Sequence, residues 1–233
     1  MGRIGIVSAM HEELRTLLAQ MPDEAPVVRG GRRFWLGHLE GHEVVVVLSG
    51  IGKVAAATTA TLLCAEFGVE RALLTGTAGG LAPGVAVGDV VVADALLQHD
   101  MDASPLFPRH EVPLYGTDRF AADAAMSTQV ERAAQTMLAG AKVHRGLVVS
   151  GDRFVASAEE SAALRERLPA ALAVEMEGAA LAQVCHDFGV PFAVVRTISD
   201  RADAIAHVDF VRFVEEVASR YTLSIVREWL AAA

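Results

Sequence analysis

Short β-branched runs alternate along this chain with longer alanine- and leucine-rich stretches, and no other feature limits its fold as strongly. Arg3 to Ala9 is apolar enough for a buried strand, and Glu12 to about Gln20 has helical spacing behind it. Phe34 to Leu39 and Glu43 to Leu48 flank Glu40-Gly41-His42, a hairpin signal. Val54 to Phe67 predicts a helix closed by Gly68, because glycine tolerates the left-handed conformation at a helix end. Ala72 to Thr75 predicts a short strand that opens into a glycine-rich loop, Gly76-Thr77-Ala78-Gly79-Gly80. Strands at Asp89 to Leu97, Gly146 to Ser150, Ala173 to Glu175 and Phe192 to Ile198 then alternate with helices at Ala121 to Leu138, Ala158 to Leu168 and Ala179 to Phe188. Phe210 to Leu230 is amphipathic and closes the series. Such alternation predicts a three-layer α/β fold in which helices cover a mostly parallel or mixed central sheet.

A length of 233 residues suits one domain spanning 1–233, and the chain has no internal repeat, low-complexity tract or linker. The exception to its regularity is Gln98 to Arg119, which lacks periodicity and carries Pro105, Pro108 and Pro113. A connection that long is expected to be a functional lid or interface loop.

Charge narrows the partners. A net charge of -9 and a pI near 5.3 leave no basic surface for neutralising phosphates, so no nucleic-acid partner is expected. The longest apolar stretch, Val44 to Cys64, is interrupted by Ser49, Gly50, Gly52 and Lys53 and is too broken to span a membrane. No secretory signal core is present, and Ile6 breaks the myristoylation pattern after Met-Gly. Cys64 and Cys185 are too few for a disulfide framework or a four-thiolate zinc site, and they read as small buried hydrophobes. A cytoplasmic location is the expectation.

Several nucleotide and hydrolase signatures are excluded. Gly52-Lys53 resembles the end of a P-loop, but Val47 and Val54 stand where Gly and Ser or Thr are needed. The glycines near Gly76 do not form a dinucleotide fingerprint, and no serine occupies a G-x-S-x-G elbow. His99, Asp100 and Asp102 are metal-ligand types without the spacing of a known site, so a solvated polar loop is the better reading.

Carboxylates at strand ends remain. Glu175 and Glu177 follow the apolar Ala171 to Val174 and precede a helix, and in an extended segment both project to one side. Carboxylates near a core need partners, and sugar hydroxyls are suitable donors. The alternative is a pair of helix-start glutamates stabilised by the macrodipole. Asp200 ends the apolar run Phe192 to Ile198, where desolvation raises a carboxyl's pKa and prepares a general acid; the alternative is an N-cap. Glu13 stands similarly just after the first strand, beside Glu12. Ligands of open α/β folds bind at the carboxyl edge of the sheet, where these groups and the Gly76 to Gly80 segment would meet. Several carboxylates with no metal and no nucleophilic Ser or Cys suit glycosidic cleavage, which needs an acid, a base and negative charge near an oxocarbenium-like sugar.

Six segments, in order, carry a family resemblance: Gly5 to Glu13, Ser49 to Ala57, Thr75 to Leu81, Val149 to Phe154, Val174 to Glu177, and Ile198 to Asp200. Together they make the chain look like a 5′-methylthioadenosine/S-adenosylhomocysteine nucleosidase of the nucleoside phosphorylase/uridine phosphorylase superfamily. The resemblance implies an α/β/α fold with a central mixed sheet, a homodimer, and hydrolysis of the N-glycosidic bond to release adenine. It implies no cofactor and no metal. By position, Glu13 would activate water and Asp200 would protonate adenine N7, with Ser199 holding Asp200. Glu177 would bind the ribose hydroxyls, Met176 would pack on the sugar, Phe154 would stack on the purine and the Val155 backbone would bond its edge. Thr77, Ala78 and Gly79 would line the site, with Met10, Ile51 and Glu175 completing the substrate contacts.

Phosphorolytic relatives bind phosphate through arginines near the first strand, whereas Glu12 and Glu13 here would repel it, which favours water. Two departures stand out. Gln98 to Tyr115 does not follow the family pattern, leaving Leu106 or Phe107 to meet the 5′ substituent across a dimer interface, and His11 replaces a common acidic residue. The rival readings are a futalosine-type nucleoside hydrolase, a purine nucleoside phosphorylase and a non-catalytic nucleoside-binding module.

Overall fold

The structure is a computed structural model that describes residues 2–202, 213 and 217–232. Strand β1 (Ile4–Ser8) is parallel to β4 (His42–Leu48) on one side and to β5 (Arg71–Gly80) on the other. Beyond β4, the sheet continues antiparallel through β3 (Arg32–Leu39) and β2 (Ala25–Arg29). The β3–β4 pairing is the expected hairpin, with Leu39 opposite His42 and positive φ at Glu40 and Gly41. On the other flank, β5 pairs in parallel with β10 (Phe192–Asp200) and, at its far end, antiparallel with β9 (Ala171–Glu175). Strands β8 (Val143–Ser150) and β6 (Val90–Gln98) link β9 back to β10, so this half of the sheet closes on itself. The short β7 (Arg119–Ala121) adds to β6.

Helices lie on both faces because the central strands alternate two apolar sets. Val7, Val45, Val47, Leu74 and Val194 face α2 (Lys53–Ala65) and α5 (Gly178–Phe188) in one cluster. Ile4, Ile6, Val44, Val46, Leu73 and Val195 face α1 (His11–Leu18), α3 (Ala124–Met137) and α6 (Ser219–Ala231) in the other. A third cluster joins Leu164 of α4 (Ala158–Arg167) to Leu97, Val149 and Val174. Trp229 of α6 is the largest fully buried side chain among the described residues. Burying such a side chain contributes roughly 2–3 kcal/mol, so α6 is held chiefly by packing. Cys64 and Cys185 are free thiols in the α2–α5 layer.

The three-layer mixed-sheet reading holds, with three local differences. The glycine-rich segment after Thr75 is the continuation of β5, not a loop, because its backbone pairs with β10 and β9 as far as Gly80. The helix expected from Ala121 starts at Ala124, capped by the Asp123 carboxylate on the Met126 amide at 2.8 Å, and β7 precedes it. Strand β2 went unread because Ala25–Arg29 is largely exposed and lacks an apolar alternation. Of the closing amphipathic stretch, Ser219–Ala231 is helical, and most of 210–216 lies outside the described residues. Among the described residues no helix is long and apolar enough to cross a membrane.

Candidate active site

Parallel strands bring their carboxyl ends to one edge, and a cavity of about 360 Å³ opens there between mostly apolar walls. Met10 follows β1 and Ile51 follows β4. Thr77, Ala78 and Gly79 lie in the second half of β5, Phe154 and Val155 follow β8, Glu175 ends β9 with Met176 and Glu177 just after it, and Ser199 and Asp200 end β10. Twelve of the thirteen residues singled out in the sequence therefore meet at one cavity. Glu13 is the thirteenth: it lies one turn into α1 and is not among the lining residues, although Ala9 and Met10 are.

Glu13 is 0% exposed. It stands third in α1 after Met10, whose backbone amide it meets, so the first-turn role of a helix glutamate is also fulfilled. Its Oε1 accepts a hydrogen bond from the Thr222 hydroxyl at 3.0 Å, and its Oε2 is buried with no partner among the described residues. Burial pushes its pKa up to about 7, against the opposing pull of Thr222, Arg196 and the Met10 amide. A carboxyl with that pKa changes charge near neutrality, as a general base at pH 7 requires.

Asp200 is 2% exposed, and two neighbours orient its carboxylate. The Ser199 hydroxyl donates to Oδ2 at 2.8 Å, and the Ala202 amide donates to Oδ1 at 2.8 Å, a local turn of the kind aspartate favours. Gly79 makes room for it: a Cβ there would stand 2.9 Å from Asp200 Oδ1 and 2.9 Å from the Ala202 Cβ. The absent side chain at Gly79 is thus a steric requirement of the carboxylate across the β5–β10 pair.

Glu175 and Glu177 do converge, but on a buried arginine. Arg196, in the middle of β10, is 0% exposed and donates through Nη2 to Glu175 Oε2 and, at 3.4 Å, to Glu177 Oε2. Glu175 also accepts from the Ser150 hydroxyl and from the Glu177 and Gly178 amides at 3.1 and 2.8 Å. Its hydrogen-bonding capacity is therefore spent on protein groups, and although it reaches the cavity wall it acts as an anchor for its neighbour. Glu177 Oε1 accepts from the Gly52 amide at 3.0 Å. Burial and the nearby Glu175 raise the Glu177 carboxyl above its usual range, with Arg196 and the Gly52 amide opposing them.

Sequence reasoning missed Arg196, Ser150, Thr222 and Gly52. Arg196 had a signal, a lone cation inside the apolar run Phe192 to Ile198. Thr222 had none, since it reaches Glu13 from 209 positions away. The guanidinium also explains Gly76, where a Cβ would stand 2.0 Å from Arg196 Nη1. Asp100 and Asp102 are engaged elsewhere: Asp100 binds the Lys53 ammonium at 2.6 Å, and Asp102 accepts from the Ser104 hydroxyl at 2.6 Å. No group of three or more His, Cys, Asp or Glu side chains placed to hold a metal ion occurs among the described residues. Neither Leu106 nor Phe107 lines the cavity, and Leu106 is 85% exposed.

A closed half-barrel flanked by helices, with carboxylates gathered at its strand ends, is the architecture of a known superfamily. The chain belongs to the phosphorylase superfamily, whose family model matches residues 3–231. Within that class it is similar along its whole length to 5′-methylthioadenosine/S-adenosylhomocysteine nucleosidases. The Neisseria meningitidis enzyme, solved with methylthio-immucillin-A, is 38% identical, with 100% of both chains covered and a TM-score of 0.94. The Streptococcus pneumoniae enzyme, solved with a transition-state inhibitor, is 37% identical over 99% of both chains, with a TM-score of 0.90. Futalosine hydrolase of Helicobacter pylori is 34% identical, covering 97% of this chain and 98% of its own, with a TM-score of 0.89.

Proposed function

We propose that this protein hydrolyses the N-glycosidic bond of 5′-methylthioadenosine and S-adenosylhomocysteine, releasing adenine and the corresponding thioribose product. The observation that carries the reading is the disposition of three buried carboxyls. Asp200 and Glu177 stand on the walls of one cavity, and Glu13, in the helix that follows the lining residues Ala9 and Met10, has a raised pKa. Asp200 donates a proton to adenine N7, so that the base leaves as a neutral molecule. Glu177 accepts from the ribose hydroxyls and stabilises the positive charge that builds on the sugar. Glu13 takes a proton from water attacking the anomeric carbon, and its unpartnered Oε2 supplies the acceptor. Phe154 and Val155 hold the purine, Met176 packs on the sugar, and Met10, Ile51, Thr77, Ala78 and Gly79 complete the walls.

Adenine release from methylthioadenosine in phosphate-free buffer, followed by chromatography, tests this. Rapid release is expected; release only after phosphate is added would make the protein a phosphorylase and remove the base role of Glu13. The similarity to futalosine hydrolase keeps that substrate class as the second reading. Failure on methylthioadenosine with turnover of futalosine would establish it.

Two apolar residues of the cavity lining are themselves exposed: Ile51 is 68% exposed, and Phe154 is exposed as well. We infer that a second copy of the chain covers this part of the cavity, which lies in the cytoplasm with the rest of the enzyme. Light scattering at micromolar concentration is expected to give the dimer mass, and the monomer mass would overturn the inference.

A further inference from the structure

Two consecutive amides at the start of α2 serve different halves of the cavity. The Gly52 amide holds Glu177, the group assigned to the ribose, at 3.0 Å. The next amide, that of Lys53, donates to Asp152 Oδ1 at 2.7 Å, and Asp152 directly precedes the lining segment Arg153 to Val155, whose Phe154 and Val155 are assigned to the purine. The Asp152 amide donates in turn to Asp100 Oδ2 at 2.9 Å, and the Lys53 ammonium closes the circuit on Asp100 Oδ1 at 2.6 Å. A further bond ties Lys53 Nζ to Gln98 Oε1 at 3.1 Å. Lys53, Asp100 and Asp152 do not line the cavity, yet together they join the segments that do.

Resting on the nucleosidase reading above, we propose that Lys53, Asp100 and Asp152 form a positioning clasp that sets the separation between the purine-binding segment and the ribose-binding Glu177. Two features support a built arrangement over a chance surface contact. Gly52 leaves the space the clasp needs, since a Cβ there would stand 3.0 Å from Asp152 Oδ1. Burial raises the Asp100 carboxyl, but the Lys53 ammonium and the Asp152 amide outweigh it and hold it below the usual carboxylate range. Asp100 therefore keeps its negative charge through neutral and mildly acidic pH.

The clasp acts on relative position, so its loss weakens a ligand that touches both halves far more than one that touches only the purine half. Adenine alone follows the Phe154 segment when that segment shifts. A nucleoside cannot, because its two ends are at a fixed distance. Calorimetry with adenine and with methylthio-immucillin-A, on wild type and on Lys53→Met, Asp100→Ala, Asp152→Ala and Asp152→Asn, separates the two cases. The first three variants are expected to bind the nucleoside analogue about 10-fold more weakly while adenine affinity stays within about 2-fold. Asp152→Asn is expected to behave as wild type, because its side-chain oxygen still accepts from the Lys53 amide. Melting curves verify folding, and Lys53→Gln replaces any Lys53→Met protein that does not fold. Equal losses for the two ligands, no loss for either, or an Asp152→Asn variant as impaired as Asp152→Ala would each overturn the clasp. A wild-type protein that binds neither ligand would instead overturn the nucleosidase reading and the clasp with it.

Discussion

Glu13→Gln is expected to lower turnover on methylthioadenosine by about 10³-fold, within the range general-base catalysis supplies, and to become the more stable protein, relative to wild type, as pH rises. Both effects come from one buried carboxyl. Its pKa rises from 4.5 in a solvated chain to about 7 in the fold, so the native state binds this proton more tightly than the unfolded state. The stability the group contributes is full below pH 4.5, where both states are protonated, and is lost as pH climbs through 7. The shift corresponds to a loss on the order of 3 kcal/mol between those limits. Glutamine keeps the acceptor for the Thr222 hydroxyl and does not titrate, so its stability curve lacks this loss. Melting temperatures of the two proteins from pH 4 to pH 8 measure the divergence; parallel curves would show that Glu13 titrates in the fold as it does in the unfolded chain. In the proposed base role, the same group is expected to govern catalysis from the acid side. A base must be deprotonated to act, so kcat/KM for the wild type is expected to rise with pH through about 7. The variant's residual activity lacks that limb.

The tension at Glu13 explains why the site was readable and where reading stopped. Apolar runs that end in a carboxylate are improbable without a reason, because an unpaired charge near a core is costly. That mismatch singled out Glu175, Glu177 and Asp200 from spacing alone, and the β1–α1 junction singled out Glu13. The strand–helix alternation likewise set the layers, since Val44 to Val47 and Ile4 to Val7 alternate between two helical faces. What stayed illegible depends on distant pairing. The Gly76 to Gly80 segment reads as a loop by composition, yet pairing with β10 and β9 on either side makes it strand. Its glycines mark where Arg196 and Asp200 occupy the space of a side chain, which requires knowing the neighbouring strand. Glu175 and Glu177 looked equivalent two positions apart, but the strand ends at Glu175 and the chain turns at Glu177. Glu175 is thus spent on protein partners as an anchor, whereas Glu177 lines the cavity as the group proposed to meet the ribose.

That anchor gives the second large effect. Arg196→Met is expected to destabilise the protein by about 3–5 kcal/mol at pH 8, the range seen when one partner of a buried ion pair is removed. Arg196 is fully buried against Glu175 and Glu177, and its charge opposes the upward shifts at Glu177 and Glu13. Without it, all three carboxyls lie in the fold with less compensation, and the raised pKa values of Glu177 and Glu13 move higher still. Groups with raised native pKa lose stability as pH rises, so the penalty is expected to be largest at pH 8 and to shrink toward pH 5. The acid limb of kcat/KM is expected to move to higher pH, because Glu13 holds its proton longer. Denaturant unfolding at the two pH values measures the penalty. A second change distinguishes charge from packing: Arg196→Met combined with Glu175→Gln removes the arginine and its nearest carboxylate together. Coupled groups are non-additive, so the double variant is expected to recover part of the stability lost by the single one. It should not recover activity, because Glu177 still lacks the cation that favours its ionised form, the form that accepts from ribose hydroxyls. A penalty equal at both pH values, or a double variant weaker than the single one, would mean that Arg196 serves as a packing element and that electrostatics at this strand end are set by other groups.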